Sequence, residues 1–327
     1  MEIMVTDNRM TRASRVLSVT LTSLFVLALG IVAAVSVGAQ TPGARIFASP
    51  QAAVQAVVDA ARAKDRQAMR EIFGPDVQSL LSGDEVADNN SFEEFATHVA
   101  EATSLEKQSE VKLTLLVGSD EWPFPIPLTK RGDGWSFDTK AGTEEILNRR
   151  IGGNEAAAQL ISQAYVEAQY EYFDGDDQDS DQVSEYAQKL ISSPGQKDGL
   201  YWETVADDEP SPLGPLMAFA RKEGYTRKAQ GAAQSANPFH GYYFKILTRQ
   251  GTSAPGGAYN YIINGNMIGG FALVAYPAVW GSAGVMTFVV NQEGRVYEKN
   301  LGARTAEIAG AMTEYNPDST WRLARDQ

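Results

Sequence analysis

From Ser49 onward the apolar positions first fall at helical spacing. Ser49-Pro50 supplies an N-cap and a first-turn proline, and Ala53, Val54, Val57, Val58 and Ala61 follow on one face. Gly74-Pro75 stops a second helix, whose Met69, Ile72 and Phe73 face inward. Ser91 and Glu94 have capping-box spacing, so a third helix is expected to begin there, with Phe92, Phe95, Ala96 and Val99 as its buried stripe. The period then changes to that of a strand. Val111, Leu113 and Leu115 alternate with Lys112, Thr114 and Leu116. Trp122-Pro-Phe-Pro-Ile-Pro-Leu128 alternates proline with apolar residues, and proline cannot donate to a ladder, so an edge strand or a polyproline-like run is predicted. Gly132-Asp133-Gly134 is a turn, followed by a short strand over Trp135-Ser-Phe-Asp138.

The second half repeats the order without repeating the sequence. Thr143-Glu144-Glu145 predicts the start of a short helix that ends at Gly152-Gly153. Asn154 then caps a longer helix with Ile161, Tyr165, Ala168 and Tyr172 on one face. Residues 204–215 and 227–238 have loop composition. From Gly241 the pattern is β, with strands at Tyr242–Leu247, Phe271–Tyr276 and Val285–Val290, a hairpin closing at Arg295–Glu298, and turn signals at Asn264-Gly265 and Gln292-Glu293-Gly294. The expected fold class is α+β. Helices and an antiparallel sheet fill residues 45–152; a long helix and an antiparallel meander fill residues 153–327.

Residues 1–39 stand apart. Arg9, Arg12 and Arg15 precede an uncharged run from Val16 to Ala44, strongly apolar over residues 16–37, and Val37-Gly38-Ala39 offers small residues before Gln40. A basic segment, an apolar core and an A-x-A-like site describe a secretory signal peptide. An uncleaved membrane anchor is the alternative, because about 20 apolar residues suffice to span a bilayer. Either reading places the rest of the chain outside the cytoplasm, in the periplasm or beyond, and the arginines before the apolar run agree with that orientation.

Charge and composition narrow the chemistry. Lys and Arg total 28 against 41 Asp and Glu, a net charge of −13. The leader itself carries +1, so the remaining body carries −14. Such a balance argues against nucleic acid as a partner, which needs clustered cations. Cysteine is absent, which excludes disulfides, thiolate metal sites, thiol nucleophiles and lipoprotein anchoring. Any membrane attachment must therefore use the apolar run.

Three features carry candidate chemistry. The acidic run from Asp174 to Glu185 places Asp177, Asp179 and Asp181 in alternation, with Glu185 able to close a shell of hard oxygen ligands, so calcium is the candidate cofactor. The register departs from an EF-hand: counted from Asp177, Gln182 stands where glycine is required and Gln188 where the bidentate glutamate belongs. A solvated acidic loop is the competing account. His240 stands at the entry to a strand, where it could act as a general acid or base or make a single hydrogen bond at the core edge. Tyr165, Tyr170, Tyr172, Tyr201, Trp202, Tyr242 and Tyr243 form an aromatic set; His240, Tyr242 and Trp202 are its candidates for a groove that takes a peptide or glycan, against a purely core role.

With these residues read, the chain resembles an exported bacterial family catalogued as domain of unknown function 2950. The matching segments are Trp122–Leu128, Glu144-Glu-Ile-Leu-Asn-Arg-Arg-Ile-Gly152, Asp198-Gly-Leu-Tyr-Trp202, Ser211-Pro-Leu-Gly-Pro215, His240-Gly-Tyr-Tyr243, Gly269–Pro277 and Gly284–Asn291. The resemblance supplies no activity. Residues 45–150 loosely resemble the nuclear-transport-factor-2-like cone. Residues 155–300 resemble the globular heads of type IV pilins and pseudopilins, through Gly241-Tyr-Tyr-Phe244, Ala275-Tyr-Pro277 and the Phe288–Val296 hairpin. The amino terminus lacks the prepilin cleavage motif, so that likeness implies a shared fold, not pilus assembly. The expected function is an exported, non-enzymatic binding or scaffolding module whose partner is an envelope protein, peptide or glycan. The alternatives are an envelope-polymer hydrolase using an acidic residue near His240, and a membrane-anchored partner of pilus-like assemblies.

Overall fold

The computed structural model describes residues 43–175, 183–204, 210–225 and 238–324. The leader, with its apolar run 16–37, lies outside the described residues. The chain divides into two compact units, with the division after Gly153.

In the first unit α1 (Pro50–Arg62) begins as its sequence predicts, with the Ser49 side chain accepting from Ala52 N. Asp65 caps α2 (Arg66–Phe73) in the same way. The third helix departs from expectation. α3 runs Glu85–Glu101, and Asp84 caps it by accepting from Val86 N and Ala87 N, while Ser91 is buried well inside the helix. The Ser91–Glu94 spacing is a local match, and Asp84, about two turns upstream, takes the cap by accepting from two N–H groups.

The sheet that follows contains β1 (Thr103–Ser109), β2 (Lys112–Val117), β3 (Trp122–Pro123), β4 (Leu128–Arg131) and β5 (Gly134–Phe137), in the order β1-β2-β4-β5, with β3 also on β2. The first residues of β2 pair with β4 and its last residues with β3. Phe124 N still reaches Leu115 O, but Pro125 and Pro127 have no N–H to offer, so the ladder breaks between the two short strands. Phe124, Ile126 and Leu128 alternate with the prolines and are buried. Phe73, Phe95, Phe124 and Phe137 form the aromatic centre of this core, with ring centroids 4.9–5.6 Å apart.

A single helix, α4 (Thr139–Asp174), spans 36 residues. The predicted break at Gly152-Gly153 does not occur, and Asn154 does not cap. Its side-chain amide donates instead to Ala283 O at 2.8 Å. Two glycines cost about 2 kcal/mol of helix propensity, which tertiary contacts of this kind outweigh.

The second unit is built on α4 and the sheet β14-β13-β12-β11-β6, antiparallel throughout: β6 (Tyr242–Leu247), β11 (Ala272–Pro277), β12 (Met286–Asn291), β13 (Tyr297–Asn300) and β14 (Arg322–Leu323). These strands follow one another as the expected meander. Between β6 and β11 the chain forms two small ladders, β7 (Arg249–Gln250) with β8 (Tyr259–Asn260) and β9 (Ile262–Ile263) with β10 (Asn266–Met267). Two short helices complete the unit, α5 (Gly214–Lys222) and α6 (Thr305–Ala311). The central strands β11 and β12 are almost wholly buried. Tyr165 of α4 donates to Ala272 O at 3.2 Å. Buried Gln169 accepts from Ala187 N and donates to Ala187 O, both at 2.8 Å, so its amide serves that segment as a strand partner would. Lys245 of β6 donates to Gly310 O and Met312 O, placing its cation at the negative end of α6. The protein is therefore α+β, as its sequence predicts. Among the described residues no helix is long and apolar enough to cross a membrane.

Candidate functional site

His240, one of the groove candidates, is positioned by two turns. α5 ends in a Schellman motif: Gly224, at φ +94°, allows Tyr225 N to reach Ala220 O and Gly224 N to reach Arg221 O. That termination sets Glu223 and Tyr225 on either side of the glycine. The second turn is made by His240 (φ +48°) and Gly241 (φ +73°). Phe239 and Tyr242 exchange backbone hydrogen bonds across them at 2.8 and 3.1 Å. Two consecutive left-handed residues across such a pair form a type I′ turn, in which histidine takes the place more often held by asparagine.

The two turns bring His240 Nε2 to 3.1 Å from Glu223 Oε2, with side chains 19% and 10% exposed. The two atoms are deeply buried and face each other without hydrogen-bond alignment. Tyr225 Oη accepts from His240 N at 3.3 Å, and the Phe239 and Tyr225 rings lie 4.4 and 5.9 Å from the imidazole. That arrangement can orient an imidazole for proton transfer. Beyond the turn, Ala278 N donates to Gly241 O, and the next residues, Val279 and Trp280, are 44% and 39% exposed.

The other groove candidates have different surroundings. Tyr242 is 1% exposed and donates to Met286 O at 2.9 Å; burial beside Glu155 pushes its phenol well above the usual range. Trp202 is 9% exposed, edge-on to Tyr172 and under the Lys197 ammonium. Both rings belong to the core of the second unit, whereas His240 faces the Glu223 carboxylate.

Of the calcium candidates, Asp177, Asp179 and Asp181 lie outside the described residues. Glu185 accepts from Met267 N at 2.8 Å and from Gln188 Nε2 at 3.4 Å, which ties its segment to β10. Among the described residues no group of three or more His, Asp or Glu stands close enough to hold a metal ion.

Glu223 and Tyr225 are the site residues that the sequence pattern does not announce. The available signal was the proline-first, glycine-last framing of Pro215 to Gly224, with Arg221 and Lys222 in the last turn. The first unit separately holds an open groove of about 510 Å³ along the alanine face of α1, where the Arg45 guanidinium lies over the Phe47 ring.

Fold and site together define a two-unit α+β protein with a histidine–glutamate contact at a tight turn of its second sheet. The chain belongs to the protein family of unknown function DUF2950, whose model matches residues 44–324. No curated protein and no solved structure matches the chain.

Proposed function

We propose that the chain is exported and works in the cell envelope as a non-enzymatic binding module. The leader supports export: three arginines, an apolar run over residues 16–37 and Val37-Gly38-Ala39 before Gln40. The observation that carries the binding role is a set of outward-facing aromatic side chains on the sheet-based second unit, Tyr170, Tyr259 and Trp280, each exposed by 38–41%. Each is also held by a hydrogen bond at its polar end, Tyr170 and Trp280 donating and Tyr259 accepting. Aromatic side chains anchored in this way offer large contact area at low entropic cost, which is what a recognition surface requires. The pilin-head likeness of residues 155–300 is compatible with this reading as a matter of fold, not of assembly.

A second reading, hydrolysis of an envelope polymer, is favoured by the Glu223–His240 contact, in which an acidic residue does stand beside His240. Turnover on a panel of peptidoglycan and glycan substrates separates the two readings. The binding module shows no turnover either as the natural protein or as His240→Ala. Turnover that disappears in His240→Ala would establish the hydrolase.

A further inference from the structure

The surface where α4 meets the β12–β13 turn has a composition that selects for charge. Tyr170 donates to Gln292 O at 2.8 Å, and Gln292 Nε2 donates to Tyr259 Oη at 3.3 Å, so one residue ties the two exposed rings together. Their inner edges are also fixed. Tyr170 packs edge-on to Phe271 and Tyr186, and Tyr259 edge-on to Tyr261. Gln292 lies close over Gly270, where any side chain would displace it. The rim is acidic. Glu167 and Asp174 stand on the same helix face as Tyr170, and Glu293 follows Gln292; all three are exposed. Asp174 is near enough to act on the Tyr186 phenol. Arg295 is the cation on the same turn.

We infer that Tyr170 and Tyr259, bridged by Gln292 and rimmed by Glu167, Asp174 and Glu293, bind cationic peptide segments, the rings taking guanidinium or ammonium faces and the carboxylates balancing their charge. Charge complementarity decides the class. Ring faces attract cations, and a carboxylate rim strengthens that preference while adding nothing to the stacking of a neutral sugar. The inference rests on the binding-module reading but not on its location in the envelope.

The test is fluorescence anisotropy of a dye-labelled tetra-arginine amide with the purified protein at moderate salt. Tyr259→Ala is expected to weaken binding about three- to fivefold, and Tyr259→Phe, which keeps the ring, to restore most of it. Asp174→Asn with Glu293→Gln is expected to weaken it by more than Glu106→Gln with Glu144→Gln, two exposed carboxylates of the first unit. Equal weakening by the two pairs would reduce the effect to net charge and overturn the site. So would unchanged binding in Tyr259→Ala, or capture of chitotetraose in preference to the arginine peptide. Turnover of a polymer substrate would count against the non-enzymatic reading alone.

Discussion

Arg150 is 1% exposed, and burial lowers its guanidinium to about 10 even though the Asp88 charge opposes the shift. Burial holds Asp88 above the usual carboxylate range, against hydrogen bonding from Ser82 and the charge of Arg150. Both Asp88 oxygens lie 3.1 Å from Ser82 N, so one side chain fixes the loop before α3 and supplies the counter-charge. Removing a buried carboxylate that accepts from a backbone N–H leaves that donor unsatisfied, at a cost of about 1–3 kcal/mol. Asp88→Ala is therefore expected to lose about 1–3 kcal/mol in urea unfolding, whereas Asp88→Asn, which keeps an acceptor for Ser82 N, recovers most of that loss. Little of this was legible in the sequence. Arg150 lies in a helical pattern in which an arginine is ordinarily a solvated residue, and only the fold shows that it points inward.

At the scale of elements, the strands that carry apolar alternation were the readable ones. Tyr242–Leu247 forms β6 over the predicted residues, and the Asn264-Gly265 turn (φ +55° and +99°) joins β9 to β10. β1 was not legible, because its residues are mostly polar and exposed and leave no period to detect. The start of α3 goes to Asp84, a local cap upstream of the Ser91 signal, and the continuity of α4 arises because glycine signals of about 1 kcal/mol each are overruled by tertiary contacts such as that of Asn154. The turn at His240-Gly241 gives an element-scale prediction. His240→Asn, which tolerates the left-handed region, is expected to unfold within about 0.5 kcal/mol of the natural protein. His240→Val, β-branched at φ +48°, is expected to lose about 1–2 kcal/mol. Thermal or urea unfolding of both variants measures the difference. Near-equal losses would mean that the Glu223 contact, and not the turn, sets the cost.

Across the whole molecule, acidity and buried tyrosine dominate the response to pH. Burial pushes the phenols of Tyr165, Tyr242, Tyr261 and Tyr315 well above their usual range. In the unfolded chain these groups lose their protons near about pH 10, while in the folded chain they keep them. Folding is thus linked to proton retention: the contribution is complete below about pH 10 and is lost as the pH rises beyond it. The expected result is a fall in the unfolding midpoint above pH 10, with absorbance at 295 nm rising together with the loss of circular dichroism. Ionisation of all 13 tyrosines while the fold persists would contradict it. The proposed place of work is outside the cytoplasm. Its most direct test is mass spectrometry of the amino terminus of the native protein after cell fractionation. A chain beginning at Gln40, recovered outside the cytoplasm, is the predicted result; a chain still bearing residues 1–39 in the cytoplasmic fraction would contradict it.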